Sequence, residues 1–325
     1  MIFKNSLSIT GNKFTLIYKV LLYMLIAVLI FSAVAVAFLL PTLKIIFSEI
    51  SDMHIIKNIG QYVTKILNGE VGDGDFAHIT QLFNRLAAIF TDNYNRLVLA
   101  FVFIVILYFI FMFLASMCYY SVSDIVNSFM SSASSYPFMS NFVHNFKKSA
   151  RFALLFTLIN IPIRILFALI VIGLTLLCSL ANYLLAAIVC YLTTLITLAL
   201  SNTMFCSWMP SMIVHNTGVV QGLKSNFRNK KSFGYMLGVY FAYELFMSAI
   251  IIPVSLFTLG VGGIMLIAAS IVIRKTMDLV LYYHDNNLKY YRDRNKVVNP
   301  THRFAESVYD PAIQSDLESE ENNDK

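Results

Sequence analysis

The sequence predicts an all-α fold, a polytopic membrane helix bundle, and three observations carry that prediction. Of 325 residues, 58% are hydrophobic and only 13% charged, where soluble domains carry about 25% charged residues. The apolar residues gather in long uncharged runs such as Val20–Leu43 and Leu97–Ser123, each able to cross a hydrocarbon layer of about 30 Å, which takes about 20 helical residues. Short segments rich in Lys and Arg alternate with these runs, the pattern that orientation in a membrane leaves behind. A water-soluble fold has nowhere to bury so much apolar surface.

The first run follows Lys13 and Lys19 and predicts a span over 16–41. Ala33-Val-Ala35 resembles a signal-peptide cleavage site, but it lies inside an apolar run longer than the ~7–15 residues of a signal core, so the span is expected to stay. Residues 44–96 form the one large outer loop, with amphipathic helices expected over Ile45–Ile66 and Ile79–Phe90, separated by Asn68-Gly69 and Gly72-Asp-Gly74. A second span covers 97–121. Between Arg164 and Lys224 no Asp, Glu, Lys or Arg occurs, a stretch too long for one helix, and Cys178-Ser-Leu-Ala-Asn182 divides it into spans over 152–177 and 183–208. Leu259-Gly260-Val-Gly262-Gly263 likewise separates 233–257 from 261–283. The six-span membrane domain is therefore 1–291. Residues 292–325, ending in Ser315-Asp-Leu-Glu-Ser-Glu-Glu-Asn-Asn-Asp324, form a cytoplasmic tail expected to be largely disordered.

Basic residues set the orientation. Lys4, Lys13 and Lys19 precede the first span, Lys147, Lys148 and Arg151 the third, and Lys224, Arg228, Lys230 and Lys231 the fifth, while Lys289, Arg292, Arg294 and Lys296 follow the sixth. All fall on one side, which the positive-inside rule makes cytoplasmic. Both termini are then cytoplasmic in a multipass protein of the cell membrane.

The lead-in segments repeat. Phe142–Phe152 aligns without gaps on Leu223–Phe233, matching Asn145 with Asn226, Phe146 with Phe227 and Phe152 with Phe233. Phe3–Phe14 resembles both, with one residue inserted. Three units of interfacial helix plus helical hairpin follow from this. Phe138, Met139, Phe142, Val143 and Phe146 fall on one helical face, as do Val219, Val220, Leu223 and Phe227. The basic residues after those faces, Lys147, Lys148, Lys224 and Arg228, are expected to face anionic lipid.

Two ionisable residues lie deep in the expected spans. Counting about 1.5 Å per residue from Phe152 and from Phe233 puts Arg164 and Glu244 near the midplane. A charge there costs roughly 3 kcal/mol and normally has a partner, so the two are expected to pair. Thr157 and Asn160 share the face of Arg164, and Tyr240 and Ser248 that of Glu244. Asp278 is expected to be balanced locally by Arg274 and Lys275, and Trp208, Tyr282 and Tyr283 to sit in an interfacial aromatic belt.

Other chemistries find little footing. Cys118, Cys178, Cys190 and Cys206 lack the spacing of a disulfide framework or zinc site. Asp73, Asp75 and His78 lack that of a calcium loop, no catalytic signature is present, and the net charge of +6 follows from basic cytoplasmic loops rather than from a nucleic-acid partner. No metal, cofactor or enzymatic activity is expected.

At Pro210-Ser-Met-Ile-Val-His-Asn-Thr-Gly-Val-Val-Gln-Gly-Leu-Lys-Ser225, and again at Leu281-Tyr-Tyr-His-Asp285, the chain resembles a bacterial pattern. It is similar to the membrane domain of some glycerophosphoryl diester phosphodiesterases and of related stand-alone six-span proteins, in which a helix-ending proline, a glycine, a small-Leu-basic-Ser segment and a terminal Tyr-Tyr-Asp recur. His284 interrupts the last motif here, and Gly222 replaces the usual alanine. The resemblance covers about 205–290 and implies six spans and a membrane-lipid context, without the catalytic barrel. The function expected is that of a non-catalytic multipass protein organising lipids, or a membrane-protein partner, at the cytoplasmic face. The alternative is a transporter or permease subunit moving a small solute or lipid past Arg164 and Glu244.

Overall fold

The computed structural model describes residues 2–52, 73–134, 136–180, 182–228, 233–293 and 295–299. They are almost wholly helical, in two compact units: Tyr23–Ala115, and Met1–Leu22 with Ser116–Lys325.

The Tyr23–Ala115 unit takes most of α2 (Thr15–Asp52), α3 (Asp73–Asp92) and the first part of α4 (Tyr94–Met130). Helices α2 and α4 run antiparallel. Tyr23 donates its hydroxyl to the Leu114 carbonyl, Phe31 meets Phe111 edge-on, Phe38 lies against Phe103, and Asn93 donates to Glu49. Helix α2 continues through Pro41 to Asp52, so the start of the first expected outer helix is a continuation of the span, and the rest lies outside the described residues. The second appears as α3.

The other unit is built around its last long helix. A short helix α1 (Ile2–Asn12) opens the chain. After α4 come α5 (Phe138–His144), α6 (Phe146–Ser179), α7 (Tyr183–Phe205), α8 (Trp208–Val214), α9 (Val219–Arg228), α10 (Phe233–Phe257) and α11 (Val261–Asp285), then a hairpin of β1 (Tyr290–Asp293) and β2 (Lys296–Val298). The expected turns fall where the sequence put them. Asn182 caps α7 by accepting from the Leu184 N–H at 2.8 Å, and Gly260 takes φ +91° before α11, a left-handed conformation that suits glycine. Helix α11 packs against α1, α8 and α10. The buried face of α1 is polar in part: Asn5 donates to the Tyr290 hydroxyl at 2.8 Å, and Thr10 to Thr276 at 3.3 Å. Tyr290 also meets His284 at 3.2 Å. These bonds anchor the β-hairpin, so its strands take in Arg292, Asp293 and Lys296–Val298 of the expected tail; the tail from residue 300 on lies outside the described residues.

Trp208, Phe152, Phe205 and Tyr120 form an aromatic core with Met209 and Met212. Trp208, Tyr282 and Tyr283 are all at most 5% exposed, so they are core residues and not an interfacial belt. Pro210 does not end a helix: α7 stops at Phe205, and Pro210 sits in the first turn of α8, where the missing N–H has no helical acceptor to lose.

Among the described residues, five helical segments are long and apolar enough to cross a membrane: Thr15–Pro41, Tyr94–Met130, Phe146–Ser179, Tyr183–Val214 and Phe233–Phe257. Only 11% of the most apolar stretch of the first two, and none of that in the third, is buried in protein, so lipid has to cover what the chain leaves bare. Helix α11, the sixth expected span, is 25 residues long but differs in kind. It carries Arg274, Lys275 and Asp278, and its residues from Ile271 on are largely enclosed by its neighbours.

Candidate functional site

Glu244 of α10 and Arg274, Lys275 and Asp278 of α11 gather where α7, α10 and α11 converge. Residues four apart stack on one helical face, so Tyr240 and Glu244 of α10 face Ser270, Arg274 and Asp278 of α11. Asn202, near the end of α7, stands between the charges. Its Nδ2 donates to Glu244 Oε1 at 2.8 Å, and its Oδ1 accepts from Arg274 Nη1 at 3.5 Å. One turn along α11, Asp278 accepts from the Tyr240 hydroxyl and from Lys275 Nζ, the latter at 2.6 Å. Arg274 and Lys275 both lie over the ring of Tyr119, at 6.0 and 5.5 Å from its centre, and Tyr243 donates to the Ser270 carbonyl at 2.7 Å.

The cluster therefore holds two cations and two carboxylates, each with a partner from the chain itself. Removing charges from water is costly, and a buried group is tolerable only when partners replace its hydration. Here Asn202 supplies a donor to one charge and an acceptor to the other, tying three helices through a single side chain.

The expected Arg164–Glu244 pair is not formed. Among the described residues Glu244 bonds to Asn202 and lies within electrostatic reach of Arg274, and Arg164 is half-buried on α6. Depth was comparable, but α6 packs on α7 and α10 packs on α7 and α11, so α7 separates the two. Asp278 is balanced locally, as expected, by its ion pair with Lys275 and by Arg274 within electrostatic reach, and it also accepts from Tyr240. Ser248, expected beside Glu244, bonds to Tyr191 at 2.7 Å. Thr157 and Asn160 are fully buried on α6, and neither the Thr157 hydroxyl nor either amide atom of Asn160 has a hydrogen-bond partner among the described residues. Asn202 is the member of this cluster that the sequence did not mark. Its one signal was being an amide in the long charge-free stretch before Lys224.

No family model, curated protein or solved structure matches the chain.

The lead-in helices make a second group of candidates. Asn145 donates to Asp124 Oδ2 at 3.1 Å, as Asn141 does at 2.6 Å. Its aligned counterpart Asn226 accepts from the Ser207 N–H at 3.1 Å and donates to the Met204 carbonyl at 2.7 Å. Each asparagine thus fastens its short helix to the end of the preceding long one. With Phe138 and Asn141 turned inward, Met139, Val143 and Phe146 are left 69%, 72% and 53% exposed although each is apolar. On α9 the outward residues are Val220, Lys224 and Phe227, at the i, i+4, i+7 spacing of one face. Lys147 is exposed beside Phe146, and Lys148 reaches across to Asn216. Arg228 is the last residue of α9.

Proposed function

We propose that this multipass membrane protein organises lipid at the cytoplasmic face of the cell membrane and catalyses nothing itself. The observation that carries the reading is the exposed apolar ridge on α5 and α9, Met139 and Val143 on one and Val220 and Phe227 on the other, set beside Lys147, Lys148 and Lys224. A helix lying in the headgroup layer needs apolar residues pointing into acyl chains and basic residues at the level of the phosphates. In this reading the basic segments face the cytoplasm, α11 is the sixth span, and the likeness of Pro210–Ser225 to a domain from lipid-related enzymes fits the same setting.

Transport past Arg164 and Glu244 is the weaker alternative, because Glu244 is already occupied by Asn202 and lies across α7 from Arg164. The lipid reading is tested by replacing Lys147, Lys148, Lys224 and Arg228 with Gln. Each basic residue near an anionic surface contributes about 1 kcal/mol, so the variant should lose most of the phosphatidylglycerol or cardiolipin that co-purifies with the native chain. Lipid content equal to that of the native protein, measured as phosphorus per chain, would reduce these helices to devices that fix how each hairpin enters the membrane.

A further inference from the structure

The stretch of α6 from Arg151 to Leu155 and the opening of α9 line an open cavity of about 590 Å³, within the ~300–1,000 Å³ usual for small-molecule sites. We propose that it is a specific site for one anionic phospholipid, holding the phosphate at its basic lining residues and the upper part of an acyl chain along its walls. The proposal rests on the lipid reading above and gives it a location.

The lining has two chemistries. Arg151 and Lys224 are its charged lining residues, and no carboxylate lines the cavity. Both are exposed, and among the described residues neither has an ion pair or hydrogen bond to another side chain. Gly218 to Gln221 also line it, and they are the opening of α9, whose first helical hydrogen bond runs from the Gly222 N–H to the Gly218 carbonyl at 2.9 Å. The N–H groups ahead of that bond lack helical acceptors, and the helix dipole makes this end favourable to an anion. Three sources of positive potential therefore converge, one of them a guanidinium able to grip two phosphate oxygens at once. The remaining walls are Leu154, Leu155, Val219 and Val220. A bare phosphate leaves those walls uncovered, whereas a phospholipid satisfies both halves. The cavity is also continuous with the exposed ridge of Val220 on which the lipid reading stands.

The site is held rigid from behind. Trp208 Nε1 donates to the Val219 carbonyl at 2.9 Å, Thr217 donates to the Ser211 carbonyl at 3.2 Å, and Gly222 lies so close that an added Cβ would stand 2.6 Å from Met212 Cγ. Binding need not order α9 first, which lowers its cost.

Trp208 is the single tryptophan and touches the cavity wall through Val219, so it reports on the site. The full chain is placed in nanodiscs in which either phosphatidylglycerol or phosphatidylcholine carries bromine on the upper acyl chain, at matched mole fraction. Phosphatidylglycerol should quench Trp208 more, unbrominated phosphatidylglycerol should reverse the excess, and inorganic phosphate should not. In Arg151→Gln/Lys224→Gln the excess should vanish, while Arg151→Lys/Lys224→Arg keeps it and shows that the fold tolerates change there. Equal quenching by the two lipids in the native chain, an excess that survives the Gln pair, or complete reversal by inorganic phosphate would each overturn the site. Lys147→Gln/Arg228→Gln lies outside the cavity and should lower total lipid retention without touching the excess. Should that variant abolish the excess, the cavity is wrong while the lipid-organising surface stands.

Discussion

Asn202 shows how much of an intramembrane electrostatic arrangement can depend on a neutral side chain. It donates to Glu244 and accepts from Arg274, so neither carboxylate nor guanidinium meets the low-dielectric surroundings alone. Asn202→Leu removes both bonds and should cost about 1–3 kcal/mol, the usual penalty for an unsatisfied polar group. Combining it with Glu244→Leu should cost less than the sum of the two single changes, because the group left stranded is gone as well. Arg164→Leu and Glu244→Leu should instead be additive within about 0.5 kcal/mol. Unfolding midpoints in detergent give both cycles, and a coupling between Arg164 and Glu244 above that level would mean the helices are arranged otherwise. The charges were legible in the sequence, since Glu244, Arg274, Lys275 and Asp278 interrupt apolar runs. Lys275 beside Asp278 was legible too, but the partner of Glu244 was not. A depth count along a helix gives height but not azimuth, and it paired Arg164 with a residue on the far side of α7. An isolated amide such as Asn202 changes neither charge nor periodicity, so nothing singled it out.

Helix boundaries followed from local chemistry wherever the chain had to break, as at Asn182 and Gly260, and failed where it did not. The first span was expected to end at 41 and a separate outer helix to begin at Ile45, yet α2 runs unbroken through Pro41 to Asp52. Tyr290 drew a stretch of the expected tail into a hairpin through bonds to residues far away in sequence, which no local pattern announces. The α10–α11 hairpin is as close as it is because of two glycines. A Cβ on Gly262 would stand 2.7 Å from Val254 and 2.8 Å from Thr258, and one on Gly263 would overlap the side chain of Ser255. Gly263→Leu should therefore splay the hairpin and cut the yield of monodisperse protein on gel filtration. Gly173→Leu is the matched control, since nothing lies within 4 Å of a Cβ there, and it should behave as the native chain. Equal yields from the two variants would show that the approach of α10 to α11 does not hold the hairpin together.

Taken whole, the chain depends on its orientation. If the basic segments are cytoplasmic and α11 crosses the membrane, cysteines placed at Gly72 and at Ser232 should react with an impermeant thiol reagent from opposite sides of an intact cell. Reaction of both from outside would remove the six-span arrangement and, with it, the cytoplasmic setting of α5 and α9. The bond between Asn5 and Tyr290 has a further consequence, in time rather than space. The two residues are 285 positions apart, and Asn12 is joined to Arg292 across a similar separation. At about 5–20 residues per second, a ribosome needs roughly 15–60 s to supply Tyr290 after Asn5 has emerged. For most of that interval α1 has no α11, and until its end no β1, to settle against, so its face of Ile2, Asn5, Ser6, Ile9 and Thr10 must wait uncovered or be sheltered by the insertion machinery. Seating of α1 therefore waits for β1, and a stall before Tyr290 leaves that helix as a segment open to quality-control proteases.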